Sequence, residues 1–171
     1  CLLPQAFIYP FAFSRIKNKT SSDIIFAMNA GNYSSLVAGL ASWSFALPVN
    51  GFALPQTSSL SLDAQGNPVL LDSFIPLQQR PNCDPTDPSN LERLEQYFFP
   101  TSLMMKHFVF PCTVSEKDTE EACKELFVKY GIFADKNASS AFACAKQKID
   151  EETSTIFVSK DHPSLNSDFI R

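Results

Sequence analysis

The stretch CDPTDPSNLERLEQYFFPTSLMMKHFVFPCTVSEKDTEEACKELFVKYGIFADKNASSAFAC, residues 83–144, holds four of the five cysteines and the clearest secondary-structure signals. A helix is predicted to begin at Ser115, because acidic residues fill the turns after it and the helix dipole favours negative charge there. Gly131 suits the end of this helix. Apolar spacing at i, i+3, i+4 and i+7 predicts a buried stripe of Cys123, Leu126, Phe127 and Tyr130.

A second helix is predicted over residues 139–150, after a short polar loop. Two helices joined by a short loop tend to pack antiparallel. The preferred disulfide is therefore Cys123–Cys144, which leaves Cys83–Cys112 as the other. Four cysteines permit three pairings, and the sequence does not choose among them.

The remaining elements are predicted outward from this stretch. A hairpin is predicted near 58–72, around the turn Gln65-Gly66-Asn67-Pro68. A capping box predicts a short helix over 89–98, residues 103–110 are strand-like, and Thr155–Val158 form a final strand. Strands followed by clustered helices predict an α+β fold. It comprises a small, mostly antiparallel sheet and a disulfide-braced helical pair in the C-terminal half.

The first third of the chain carries little charge. Pro4 and Pro10 argue against a continuous helix over residues 1–22, so an extended apolar arm is predicted there. No charged residue occurs from residue 24 to residue 62. Within that run, residues 34–49 alternate apolar and polar side chains and are interpreted as a strand.

We therefore divide the chain into residues 1–57, an apolar arm or strands completed by a partner, and residues 58–171, an α+β domain. A charge-free surface of this length would promote aggregation if it stayed in water, so burial against a partner is expected. Large aromatic side chains dominate interface energetics. The partner-binding candidates are Phe7, Tyr9, Phe11, Phe13, Trp43 and Phe45.

The cysteine count bears on the compartment. If Cys1 carries acyl chains, as in a bacterial lipoprotein, four cysteines remain for two disulfides. The alternative is a secreted, glycosylated protein. Both routes predict an oxidising, extracytoplasmic location, with the bacterial outer membrane or periplasm favoured over secretion or the cell surface. The candidate glycosylation sites are Asn18, Asn32 and Asn137.

The sequence offers little for catalysis. His107 and Cys112 are five residues apart on a predicted strand, which places their side chains on opposite faces. His162 is followed by a proline and is interpreted as a turn residue. Nucleophile-elbow, nucleotide-loop and zinc motifs are not found, and a net charge of −4 with scattered basic residues disfavours nucleic acid. No catalytic residue, metal site, cofactor or nucleotide is predicted.

The leading functional hypothesis is a non-enzymatic structural subunit of a cell-envelope protein complex, anchored by lipid at Cys1 and bound to other subunits. The alternative is a secreted binding module that holds an apolar ligand or a peptide in a phenylalanine-lined cavity. A hydrolase with dispersed carboxylates is a third hypothesis, which no motif supports.

Overall fold

A four-stranded parallel sheet forms the centre of the molecule. The computed structural model describes residues 2–70, 79, 90–99, 102–150 and 152–159. The strands of this sheet are β1 Asp23–Met28, β2 Gly51–Pro55, β5 Val109–Cys112 and β6 Thr153–Val158. They lie in the order β5-β2-β1-β6, and all three pairings are parallel. The predicted small, mostly antiparallel sheet is therefore wrong.

Helices cover both faces of the sheet, which explains why β1 and β2 are apolar on both sides. The first face carries α1 Leu3–Ala6, α2 Ile8–Ile16 and α3 Ser34–Ser44, and the second carries α5 Glu116–Tyr130 and α6 Lys136–Lys146. Phe26 and Met28 face the cluster that contains α3, whereas Ile25 and Ala27 pack with α6. The two faces are thus supplied by alternate residues of one strand.

The predicted extended arm over residues 1–22 is wrong, because its described part is largely helical. Pro10 is the third residue of α2, and Pro4 lies in the first turn of α1. The backbone N–H groups of a first turn have no intrahelical acceptor, so proline costs little there. Tyr9 anchors α2: it is buried, its ring lies 5.0 Å edge-on from that of Phe26, and its hydroxyl donates to the Ser35 carbonyl at 2.6 Å.

The predicted strand over 34–49 is likewise wrong, since α3 occupies most of it. A helix that is apolar nearly all round is a buried helix, and seven of its residues are buried. Gly39 lets α3 approach the sheet, because a Cβ atom there would lie 2.5 Å from Cε1 of Phe52. The local alternation of apolar and polar residues favours a strand, but tertiary packing imposes a helix.

The C-terminal helices match their predictions more closely. A complete capping box starts α5 at Ser115, and Gly131 ends it in the left-handed conformation. The stripe differs from the prediction, because Leu126 is buried whereas Phe127 and Tyr130 are more than half exposed. The start of α6 lies three residues before the predicted one, since the Asp135 carboxylate caps it by accepting from the Ala138 N–H at 2.9 Å.

The disulfide joins Cys112 at the end of β5 to Cys144 in α6, and not the preferred pair Cys123–Cys144. Cys123 is a free thiol that is partly buried. This bridge ties the sheet to α6 beneath the second face, where both cysteines are buried. Cys1 and Cys83 lie outside the described residues.

Smaller elements complete the fold. The hairpin is present as β3 Leu60–Leu62 paired antiparallel with β4 Pro68–Leu70, and the short helix as α4 Leu91–Phe98. The predicted strand 103–110 is instead a 3-10 helix, Ser102–His107, followed by β5.

Strands from both sides of the predicted boundary at residue 57 lie in one sheet. Within the described part of the chain, every helix is too short or too polar to cross a membrane.

Candidate functional site

A small cavity lies where β1 and β6 end and α3 and α6 begin. This is the carboxyl edge of a parallel sheet, which is the usual place for ligands in α/β proteins. Its volume of about 70 Å³ exceeds what one water molecule needs and leaves room for a small oxyanion. The cavity is lined by Met28, Asn29, Ala30, Gly31, Asn32, Ser34 and Ser35, by Asn137 and Ala138, and by Val158.

Two residues in the loop from β1 to α3 have a left-handed backbone conformation. Gly31 has φ +44° and Tyr33 has φ +63°, a conformation that bulky residues rarely adopt. Tyr33 is held there by burial and by a 2.5 Å hydrogen bond between its hydroxyl and that of Thr57. Backbone conformations of this kind persist where packing fixes them, and they concentrate at functional sites.

The N-terminus of α3 faces the cavity without a side-chain cap. Its N-cap residue, Tyr33, offers no capping side chain, and the first turn holds no acidic residue. The N–H groups of a first turn lack intrahelical acceptors and carry partial positive charge. Within the loop, the Asn32 side chain accepts from the Ser34 N–H at 3.1 Å. A helix start of this kind, in which Asn32 takes the first N–H and the N-cap residue Tyr33 takes none, still favours an anion, most commonly a phosphate.

The start of α6 supplies a different group. Its first backbone donors are already satisfied by Asp135, which is 1% exposed. What α6 contributes is the Asn137 side chain, whose Oδ1 accepts from Nδ2 of Asn29 at 3.2 Å. One wall of the cavity is therefore an open helix start, and the opposite wall is an amide on a capped helix.

The chemistry of this lining is that of binding. None of the ten lining residues carries a titratable side chain. Neutral donors and a helix dipole can hold and orient an oxyanion, but the lining offers no general acid or base that could activate the Ser34 or Ser35 hydroxyl. Among the described residues, no cluster of His, Cys, Asp and Glu could hold a metal ion.

Comparison with known proteins finds sequence relatives and similar solved structures. No family model matches the chain. A threonine synthase from Buchnera aphidicola (the strain from Acyrthosiphon pisum) is 29% identical over 168 residues, which cover 95% of this chain and 38% of that protein. The sequence relatives are threonine synthases. The match extends to further threonine synthases over nearly the same span.

The fold agrees with the sequence matches. Threonine synthase from yeast superposes with a TM-score of 0.71 at 16% identity, covering 99% of this chain and 42% of that one. The PLP-bound threonine synthase from Brucella melitensis gives 0.69 at 14% identity, with the same coverage. This is the fold type II of PLP-dependent enzymes. The chain spans about 38% of the length of the curated relatives it matches.

These findings overturn several expectations. The structural subunit and the binding module are both wrong as functions, because the relatives are PLP-dependent enzymes. The prediction that the chain is not an enzyme is wrong for the same reason. The lipoprotein of the cell envelope and the extracytoplasmic location are contradicted too, because the sequence relatives are threonine synthases.

The aromatic residues predicted to bind a partner are divided by the structure. Phe7, Phe11 and Phe45 are 61–78% exposed, and two of them line an apolar groove of about 560 Å³ between α1, α2 and the end of α3. Tyr9 is buried in the core and is not available. Phe13 and Trp43 are partly buried against the same core. Partner binding through the exposed residues stays a prediction.

The candidate glycosylation sites lie in two different settings. Asn18 is exposed just after α2. The side chains of Asn32 and Asn137 are engaged at the cavity, where each accepts a hydrogen bond.

The two histidines lie away from this cavity or outside the described residues. His107 is exposed on the 3-10 helix, beside a second cavity of about 280 Å³ that lies between the β3–β4 turn and β5. His162 lies outside the described residues.

Sequence reasoning missed the cavity because phosphate-binding loops are usually recognised by their glycines. Five glycines in the chain are few for a loop of that kind. The loop at this cavity holds one glycine, Gly31, and its polar groups come from a helix start and from amide and serine side chains. The usable signal is the apolar run of residues 24–28, followed directly by Asn-Ala-Gly-Asn and then by a charge-free helix.

Proposed function

We propose that this chain forms the phosphate-binding part of a PLP-dependent enzyme of the threonine synthase type. The observation that carries the proposal is the 29% identity to a threonine synthase over 95% of the chain. A local motif would not extend over nearly every element described above. The fold and the position of the cavity at the carboxyl edge of the sheet support the same interpretation.

The residues around the cavity fit the phosphate of PLP. The open start of α3 attracts a dianion, and the lining holds no carboxylate that would repel it. We assign the holding of the phosphate to the backbone N–H of Ser35 and to the hydroxyl groups of Ser34 and Ser35, which line the cavity. When bound, PLP serves as an electron sink for carbanions of amino-acid substrates. The residues of this chain bind the cofactor and fix its orientation.

A lysine is the remaining requirement, because PLP enzymes hold the cofactor through a lysine side chain as well. The described lining contains none. We therefore assign phosphate binding to this cavity and the lysine to residues outside its described lining.

Two measurements on the protein at its natural length test the proposal. The first is binding of PLP, followed by absorbance and calorimetry, for which we expect saturable one-to-one binding. The second is growth, without added threonine, of a bacterial strain that lacks its own threonine synthase. Growth would support threonine synthesis. PLP binding without growth would assign a different PLP reaction, and absence of PLP binding would contradict the proposal.

A further inference from the structure

The side chain of Asn29 touches both walls of the cavity. Its Oδ1 accepts a hydrogen bond from the Gly31 N–H at 2.8 Å, inside the loop that leads into α3. Its Nδ2 donates to Oδ1 of Asn137 at 3.2 Å, in the first turn of α6. A single amide thus joins two segments that are 108 residues apart in the chain.

The two walls are otherwise held by separate means. The strands beneath them are neighbours, with Met28 paired to Val158 at their carboxyl ends. Above the strands, α6 is fixed by its own Asp135 cap, and the loop is fixed by Tyr33 and Thr57. Neither of these contacts sets the distance from one wall to the other. Among the hydrogen bonds described at the cavity, the Asn29–Asn137 bond is the one that spans it.

The distance between the walls matters for an oxyanion. Useful N–H···O hydrogen bonds need donor–acceptor distances of about 2.7–3.2 Å and weaken quickly when donors turn away. Donors at the start of α3 can meet a tetrahedral group that rests against the α6 wall only if the gap is correct to a few tenths of an ångström. Both asparagines are uncharged, so their effect on an anion is exerted through geometry.

We propose that Asn29 and Asn137 form a positioning pair, which sets the width of the cavity and thereby its affinity for a phosphate monoester. This inference rests on the proposed function, because it specifies how the same cavity recognises PLP. Asn29 acts through the loop conformation, which its hydrogen bond from the Gly31 N–H fixes. Asn137 acts as the acceptor that fixes Asn29.

The test uses the ratio of the dissociation constant of pyridoxal to that of PLP, measured by calorimetry on the protein at its natural length. The two compounds differ only in the phosphate, so the ratio reports phosphate recognition and is insensitive to general loss of folded protein. We expect Asn29→Ala and Asn137→Ala each to reduce the ratio roughly five- to tenfold, the effect of one lost hydrogen bond. The double variant should fall no further than the more affected single variant.

Asn67→Ala is the matched control. Asn67 also bonds through its amide, to Asp63 in the β3–β4 turn, and it lies outside the cavity lining. It should lower the melting temperature as Asn29→Ala does and leave the ratio unchanged. Asn137 is exposed on a helix, where alanine is well tolerated, so Asn137→Ala keeps the test open even if Asn29→Ala folds poorly.

The outcomes separate the two proposals. If the unaltered protein binds pyridoxal as tightly as PLP, phosphate recognition at this cavity is wrong, and the positioning pair is wrong with it. If it prefers PLP but the single variants keep the ratio, the pair has no role. Additive losses in the double variant would mean two independent contacts to the ligand, which also overturns the pair.

Discussion

Two helices of this molecule begin in opposite ways. At the start of α5, the Ser115 hydroxyl accepts from the Asp118 N–H while the Asp118 carboxylate accepts from the Ser115 N–H, so the helix end is closed on itself. At the start of α3, Tyr33 supplies no cap and adopts a left-handed conformation, and the first turn faces a polar cavity. The first helix start stabilises the fold, whereas the second leaves polar groups for a ligand.

The difference shows where function lies in this fold. A helix is less stable when the donors of its first turn are unsatisfied. The helix α3, whose N-cap residue makes no side-chain cap, begins at the carboxyl edge of the sheet. The start of α6 is intermediate, because its backbone is capped by Asp135 while its Asn137 side chain reaches the cavity. Under the proposed function, the start of α3 binds the ligand, the start of α5 stabilises the fold and the start of α6 positions the cavity.

The largest expected effect comes from placing a charge at the open start. Ser35→Asp puts a carboxylate on the second residue of α3, against the cavity. Repulsion should weaken PLP binding roughly 10- to 100-fold. The melting temperature should hold, because acidic residues suit the first turn of a helix. Calorimetry and thermal denaturation measure the two effects.

Lys117→Asp is the control for that variant, since Lys117 is the second residue of α5. It introduces a carboxylate at the equivalent position of the closed helix and lowers the net charge by two, against one for Ser35→Asp, and PLP affinity should still be unchanged. Equal loss of affinity in both variants would mean that overall charge, and not the start of α3, governs binding.

The next effect tests the burial of α3. Gly39→Ala forces a methyl group against the Phe52 ring, which is fully buried. Overpacking of this kind exceeds the gain in helix propensity, so we expect a net loss of about 1–2 kcal/mol in the free energy of unfolding. Chemical denaturation measures it. Ser44→Ala, exposed on the same helix, should change stability by less than about 0.5 kcal/mol.

A smaller effect is expected at the closed start. Ser115→Ala removes the cap of α5 and should lower stability by about 1 kcal/mol. The pyridoxal-to-PLP ratio of dissociation constants should not change. A change in that ratio would show that α5 and the cavity are coupled, which would break the contrast between the two helices.

The smallest effect concerns pH. Hydrogen bonds from the Ser115 side chain and backbone hold the pKa of the Asp118 carboxyl below its ordinary value. A group whose pKa is depressed by folding stabilises the fold above its unfolded pKa of about 4, and this contribution is lost as pH falls through the folded pKa. Stability should therefore decline below about pH 4, and less steeply in Ser115→Ala. If the free energy of unfolding falls equally steeply with pH in the unaltered protein and in Ser115→Ala between about pH 2 and pH 5, this role is contradicted.

The sequence predicted those parts of the fold whose signals are local. Ser115, Asp118 and Gly131 act within one helix, so the bounds of α5 followed from them. The hairpin turn and the amphipathic α4 are local in the same sense. The parallel sheet could not be predicted in this way, because pairing β1 with β6 joins residues about 130 positions apart, and no local pattern specifies it.

The open start of α3 was missed for a related reason. Its proposed role depends on an N-cap residue that makes no side-chain cap and on Asn137, which comes from a distant helix. The charge-free segment predicted an interface, although burial inside this fold accounts for Leu36, Leu40 and Phe52. An uncharged segment predicts burial without specifying what covers it.

A crystal structure of the natural-length protein with PLP tests the central claim most directly. We predict the phosphate at the start of α3, with oxygen atoms within hydrogen-bonding distance of the backbone nitrogen and hydroxyl of Ser35 and of the Ser34 hydroxyl, and with the Asn29–Asn137 hydrogen bond intact. A phosphate bound elsewhere, with the cavity between α3 and α6 unchanged, would contradict the account.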